Sequence, residues 1–218
     1  MLEIKGLSKT YTVRGRNVEA LVDISFSCKP GDFTVVCGHS GCGKSTLILA
    51  IGSMLRPTSG NIAYKGKDIY RFSAGKCNRY RKYTVGFIFQ RFFLIPYISA
   101  HDNILLPLPP RSRNKARLKA AALAERLGIT GRLEHMPPQL SVGEMQRVAT
   151  ARALITDPEI ILADEPTGNL DPSNADVIAD CLSEEAEKGR IIILATHDKA
   201  LTQLGSKRID LKEGRMKE

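Results

Sequence analysis

No stretch of this 218-residue chain approaches the ~18 to 20 consecutive apolar residues that cross a bilayer. The clean apolar runs are short, as in Ile191–Ala195. The opening Met1-Leu-Glu-Ile-Lys-Gly lacks the apolar stretch of a secretion leader. The chain is therefore expected in the cytosol unless a partner holds it elsewhere. Its five cysteines (Cys28, Cys37, Cys42, Cys77, Cys181) are odd in number and form no CxxC pair. That argues against both a disulfide framework and a zinc site, and they read as reduced thiols. Internal repeats and low-complexity segments are missing too. Acidic residues are in deficit, 23 against 32 Lys and Arg, for a net charge of +9. The excess directs attention to anionic partners: nucleotide phosphates, an acidic lipid face, nucleic acid. Its cations gather at Arg71, Lys76, Arg79, Arg81 and Lys82, and again at Arg111, Arg113, Lys115, Arg117 and Lys119. The plainer reading of such runs is a solvated face.

What is present suffices for one substantial domain with a buried core, the hydrophobic share being 43%. Val22, Ile24, Phe26 and Cys28 alternate with polar residues, the pattern of a half-buried strand. Phe33–Cys37 reads as a strand buried on both faces, followed by a glycine-rich loop and a helix from Ser45 to Met54. Ile62 and Tyr64 mark another strand, and Val85–Phe89 a further one. The texture then changes. Residues 91–156 read as a helical insert, with helices over Asn114–Leu127, closed by Gly128, and over Glu144–Ile155. Strands Ile160–Ala163 and Ile191–Ala195 flank a helix opened by Asp171-Pro172 and closed by Gly189. Ile209–Leu211 reads as an edge strand. Such alternation implies an α/β fold with a mostly parallel sheet covered on both faces.

Gly38-His39-Ser40-Gly41-Cys42-Gly43-Lys44-Ser45 matches G-x-x-x-x-G-K-[ST], the phosphate-binding loop. Its glycines let successive backbone N–H groups point inward around a phosphate, with Thr46 continuing into the helix. Lys44 is expected to reach the β- and γ-phosphates, and the Ser45 hydroxyl to bind Mg²⁺. The flanking strand and helix are the context this motif requires. By itself it does not separate kinases, GTPases, helicases and transport ATPases. Asp164-Glu165 ends a buried strand, where ligands gather in parallel sheets. Asp164 is placed to bind Mg²⁺ and Glu165 to polarise the attacking water. A plain helix cap is the competing reading. His197 follows the next strand and is expected to meet the γ-phosphate. The other histidine side chains, at 39, 101 and 135, are read as structural or solvent-facing.

Taken together, these residues resemble the nucleotide-binding subunits of ABC transporters over essentially the whole chain. The most specific element is Leu140-Ser-Val-Gly-Glu144 and the Met-Gln-Arg-Val-Ala-Thr-Ala-Arg-Ala-Leu that follows, which looks like the family's signature segment and helix. The resemblance implies a P-loop NTPase with a RecA-like core, an N-terminal antiparallel β part and an α-helical subdomain, all in one domain spanning 1–218. It implies that Tyr11 stacks on adenine and that Gln90 links Mg²⁺ to the helical insert. It also implies that Asn169-Leu-Asp171 faces another subunit, and that Ser141, Gly143 and Glu144 close on the ATP of a second copy in a head-to-tail dimer. A helix tip with free N–H groups suits that role physically. Two positions depart from the usual LSGGQ, Val142 for glycine and Glu144 for glutamine. Cys42 within the loop carries a further expectation, that thiol oxidation affects ATP binding.

Ala20-Leu-Val-Asp-Ile-Ser, Leu55-Arg-Pro-Thr-Ser-Gly60, Val85-Gly-Phe-Ile-Phe-Gln90 and Ala163-Asp-Glu-Pro-Thr-Gly-Asn-Leu-Asp171 look like one branch. It holds the lipoprotein-releasing, macrolide-exporting and antimicrobial-peptide-resistance ATPases, with the cell-division ATPase as a near relative. The expected role is an ATPase subunit powering export or mechanotransmission through a separate transmembrane permease. Its place is then the inner face of the cytoplasmic membrane, with Phe92–Tyr97 gripping the permease. A non-transport ABC ATPase is the alternative, either a cell-division regulator or a soluble enzyme acting on nucleic acid or ribosomes. The long insertions and tandem domains of the soluble kind are not seen, so no nucleic-acid partner is expected. A small P-loop kinase would have no use for Leu140–Glu144 or His197.

Overall fold

A computed structural model describes residues 1–217, apart from the side chains at 199 and 200. The first third forms strands β1 (Leu2–Val13), β2 (Arg16–Cys28) and β3 (Phe33–Cys37), helix α1 (Lys44–Ile51), and strands β4 (Ser59–Tyr64) and β5 (Lys67–Asp68). Helix α2 (Ala74–Arg79) and strand β6 (Val85–Phe89) follow. Four helices come next: α3 (Ala100–Leu105), α4 (Pro110–Arg113), α5 (Arg117–Arg126) and α6 (Val142–Leu154). The chain then runs through β7 (Ile160–Asp164), α7 (Pro172–Glu187), β8 (Ile191–Thr196), α8 (Lys199–Thr202), β9 (Lys207–Lys212) and β10 (Arg215–Met216). No helix among the described residues is long and apolar enough to cross a membrane.

Two sheets result. β2-β1-β4-β5 is antiparallel throughout. The other has the order β10-β9-β3-β8-β7-β6, parallel except for β10. Its central strands send alternate residues into two apolar clusters. Phe33, Val35, Ile192, Leu194, Ile161 and Ala163 join the helices α3, α5, α6 and α7 on one face. Val36, Ile191, Ile193, Ile160 and Leu162 meet α1 and the antiparallel sheet on the other. Fully burying such a branched side chain is worth ~1.5–3 kcal/mol, which is why every residue of β3 and β8 is buried.

Helix ends follow local chemistry. Asp171 Oδ1 accepts from Asn174 N at 3.0 Å, and Pro172, which lacks an N–H, opens α7. Gly128 (φ +63) and Gly189 (φ +86) turn the chain after α5 and α7 in a conformation other residues resist.

Three expectations need correcting. The period-two pattern of β2 breaks at Asp23 (φ +52), where the pairing with β1 slips; Leu21 and Ile24 are buried while Val22 is only partly so. Ile209–Leu211 lies in β9, between β3 and β10, and so is not the edge. The stretch 91–99 is irregular, and helix begins only at Ala100.

Candidate functional site

The site is assembled by strand order. β3, β8 and β7 lie side by side, with Cys37 opposite Thr196 and Asp164 opposite Ala195. Neighbouring strands are ~4.8 Å apart. The loop after β3, the acidic pair ending β7 and the histidine after β8 therefore emerge together at one sheet edge, outside the carboxyl ends of parallel strands.

The loop curls because its glycines do. Gly38, Gly41 and Gly43 have φ of +153, +78 and +110. A Cβ on Gly38 would lie 2.4 Å from Leu211 O, and one on Gly43 2.3 Å from Ala20 O, so neither position accepts a side chain. Gly43 caps α1 without any side-chain acceptor, leaving the helix N–H groups to the cleft. Lys44 Nζ donates to Gly38 O at 2.7 Å and His39 O at 3.1 Å and lies 3.4 Å from Glu165 Oε1. Both side chains are nearly enclosed, 7% and 13% exposed, so the pair is little screened.

Glu165 sits in the left-handed region, φ +48, which a residue with a Cβ adopts only under local constraint. Its N–H donates to Ala195 O at 2.8 Å. Its Oε1 is 2.9 Å from His197 Nδ1, and Oε2 accepts from Thr196 Oγ1 at 3.3 Å. Burial pushes the Asp164 carboxyl above the usual range and Glu165 adds to this, while the Ser45 hydroxyl and Lys44 oppose it. Its Oδ1 is buried without a hydrogen-bond partner. Asp164, Ser45 and Gln90 offer the oxygen donors a small hard cation takes when substrate phosphates supply the rest, so these residues fit Mg²⁺. A cleft of ≈ 270 Å³ is lined by Ala20, Ser40, Gly41, Gly43, Lys44, Ser45, Thr46, Gln90, Glu165 and His197.

Other candidates lie outside that lining. Gly38 and His39 border an adjoining concavity, with the imidazole exposed. Cys42 is buried, its Sγ packed against Gly38, which runs against ready thiol oxidation. Tyr11 on β1 pairs with Val18, with the Lys9 ammonium 5.2 Å from its ring centre. Ser141, Gly143 and Glu144 form the tip of α6. Ser141 Oγ accepts from Glu144 N at 3.2 Å while Glu144 Oε2 accepts from Ser141 N at 2.8 Å, a reciprocal cap. Arg132 Nε donates to Glu144 Oε1 at 2.6 Å; chiefly through that bond, the Glu144 carboxyl is lowered to about 2. A Cβ on Gly143 would lie 2.4 Å from Asn174 Oδ1, so a side chain there would have to displace the Asn174 amide. Val142 is 44% exposed and needs no glycine. Asn174 also donates to Asp171 Oδ2 at 2.5 Å, so the α6 tip and the Asp171 loop share one surface.

A second, larger groove of ≈ 850 Å³ adjoins the cleft, with Gln90 bordering both. Phe87, Phe89 and Phe93 line it. The backbone beside Gln90 is held from α6: Gln146 Nε2 donates to Phe89 O at 3.3 Å, and Arg152 donates to Phe92 O and Phe93 O, both at 2.6 Å. Sequence reasoning missed Thr196, Gln146 and Arg152. The helix that carries the last two also holds Glu144, Arg147 and Thr150, so nothing in the sequence set Gln146 and Arg152 apart.

Comparison with known proteins gives a consistent picture. The family model described as ABC transporter matches residues 21–168. An uncharacterized ABC transporter ATP-binding protein of Methanocaldococcus jannaschii is 41% identical, covering 100% of this chain and 98% of that protein. The lipoprotein-releasing system ATP-binding protein LolD of Syntrophus aciditrophicus is 37% identical, covering 98% and 97%. The macrolide export ATP-binding/permease protein MacB of Sodalis glossinidius is 38% identical over 99% of this chain, which spans 33% of that protein. Among solved structures, a dimeric ATP-binding cassette in a post-hydrolysis state bound to ADP and Pi superposes with a TM-score of 0.90. It is 33% identical and covers 100% of this chain and 97% of that one.

Proposed function

The chain belongs to the ABC transporter family, on the branch of the LolD and MacB ATPases, and we propose that it spends ATP at this cleft to drive export or mechanotransmission through a membrane permease. It is an ATP-binding cassette and an ATPase. The observation that carries the assignment of roles is the contact chain Lys44–Glu165–His197 at the mouth of the glycine loop.

In this reading the loop N–H groups and the α1 tip bind the β-phosphate, and Lys44 moves from its carbonyl acceptors to the phosphate oxygens. That frees Glu165 from its ion pair to take a proton from the attacking water. Thr196 and the His197 backbone hold the carboxylate on line, and His197 keeps Nε2 for the γ-phosphate because Nδ1 is engaged by Glu165. Ser45, Asp164 and Gln90 would hold Mg²⁺, which when bound neutralises charge on the β- and γ-oxygens. Tyr11 supplies an aromatic face for adenine.

Ser141, Gly143, Glu144 and Asp171 do not line the cleft that holds Lys44, which supports their meeting the nucleotide of a second copy. The apolar groove beside Gln90 supports docking of a permease, and through it a place at the inner face of the cytoplasmic membrane. Glu165→Gln tests the core of this reading. The variant is expected to bind ATP, hydrolyse it at least ~10²-fold more slowly, and elute as a dimer in ATP. Normal turnover would remove Glu165 from the role of base. Copurification with ribosomes or nucleic acid, in place of a membrane protein, would overturn the partner.

A further inference from the structure

Helices α4 and α5 run together as one right-handed stretch over residues 110–126, with a single tighter turn at Asn114–Ala116. Its inner side is apolar: Ala120 and Ala124 are buried in the helical cluster, and Ala116 and Leu123 pack against it. Its outer side is cationic. Arg111, Lys115 and Lys119 follow at intervals of four, so they stack in one exposed row, and Arg117 is exposed as well. Leu118, three residues after Lys115, stands 85% exposed, more so than any other large apolar side chain among the described residues.

The row is uncompensated. Residues 103–124 include no aspartate or glutamate. Among the described residues Arg111, Lys115 and Arg117 form no ion pair, and Lys119 comes only to 3.9 Å of Asp157. Elsewhere the cations are matched, as Arg126 with Glu184 and Glu185, Arg190 with Asp157 and Lys65 with Glu159. Like charges at i, i+4 destabilise a helix, and the row repeats that arrangement twice. A face serving solubility alone gains more from mixed signs. An anionic surface turns the repulsion into attraction.

Position and chemistry narrow the partner. Pro107 lines the groove beside Gln90, and three residues span at most ~11 Å, so the helical stretch begins close to the groove's edge. Arg113, half-buried, donates to Leu106 O at 3.4 Å and Leu108 O at 3.3 Å and fastens the connection. A permease seated in the groove would bring its bilayer to this side of the molecule. A single exposed leucine carries no message by itself. Set among cations, Leu118 suits the boundary of headgroups and acyl chains, where its methyls enter while the Lys and Arg stems carry charge to the phosphates. Nucleic acid or an acidic peptide would use the cations and leave the leucine idle.

We propose that the Arg111–Lys115–Lys119 row and Leu118 rest on an anionic lipid surface beside the permease. The inference rests on the membrane-side placement proposed above and adds a direct contact with the bilayer.

The test uses the full chain without permease, so that its failure and a failure of permease docking, read by copurification, are separate results. Cosedimentation compares vesicles of phosphatidylcholine with vesicles of equal parts phosphatidylcholine and phosphatidylglycerol. The anionic vesicles are expected to bind at least ~10-fold more tightly, the gap closing in about 0.5 M salt. The triple variant Arg111→Gln, Lys115→Gln, Lys119→Gln is expected to remove most of that gap and to leave ATP hydrolysis in solution unchanged, which also reports that it is folded. Leu118→Gln is expected to weaken anionic-vesicle binding at least ~3-fold with the salt dependence intact. Arg71→Gln, Lys76→Gln, Arg79→Gln removes as much charge from another exposed cluster and is expected to preserve the gap. An equal loss there would overturn the assigned row in favour of overall net charge. Equal binding to both vesicle types, or a gap untouched by the triple variant of the row, would overturn the proposal outright. Binding to RNA or polyglutamate that the same triple variant abolishes, without vesicle binding, would overturn lipid in favour of an acidic macromolecule.

Discussion

Lys44 is held by two carbonyls and one carboxylate in a nearly enclosed position, so its ammonium is already fixed where a phosphate would arrive. Lys44→Ala is expected to weaken ATP binding at least ~10-fold, because a charge-assisted contact worth ~1.5–3 kcal/mol is lost. Fluorescent-nucleotide titration checks this; unchanged affinity would contradict the loop assignment. Thr196 makes a subtler claim. Its hydroxyl is one of the donors to Glu165 Oε2, and it is fully buried. Thr196→Val keeps the shape and removes the donor. The expected result is a roughly tenfold drop in turnover with ATP affinity unchanged, in line with one long hydrogen bond to a carboxylate, ~1.5 kcal/mol. A loss of affinity without a loss of turnover would remove Thr196 from the positioning of Glu165.

At the scale of elements, α6 carries its own pH signature. The Glu144 carboxyl is lowered from an ordinary 4.5 to about 2, first by Arg132 and then by the Ser141 N–H. A depressed carboxyl contributes stability that is present above its unfolded value and lost as pH falls through the folded one. Glu144→Gln keeps the reciprocal cap and removes the charge. Thermal melts are therefore expected to show a gap between wild type and variant that is constant from pH 7 to about 5 and narrows toward pH 2; a gap that holds steady down to pH 3 would refute it. Elements with strong local chemistry were legible in advance. Ile160–Ala163 read correctly as a strand because both faces are buried and the apolar run is unbroken; Val85–Phe89 did so because the segment carries no charged or polar residue, although Phe87 and Phe89 are only partly buried; and Asp171-Pro172 announced α7 through its cap. β1 was not singled out, since its alternation is interrupted at Gly6, where the pairing with both neighbours slips. At the site, Lys44 could be singled out from the G-x-x-x-x-G-K-[ST] spacing, and Glu165 and His197 from their places just after two buried strands. Thr196, Gln146 and Arg152 could not, because their partners lie 31 to 60 residues away in sequence and only the folded sheet brings them close.

For the whole molecule, the placement of Ser141 outside the cleft makes a separable prediction. Ser141→Arg is expected to leave ATP binding by one chain intact and to abolish turnover together with ATP-dependent dimerisation, read by light scattering. Loss of binding would mean the segment serves its own chain's cleft. The consequence of α6 reaches further. Its 13 residues span ~20 Å, with no glycine or proline after Gly143 to let it flex. One end grips the backbone of the aromatic groove through Arg152, and the other carries Ser141. A shove delivered at Phe92 and Phe93 has no slack to vanish into, so the far tip must keep step with it, as the two ends of a push-rod do.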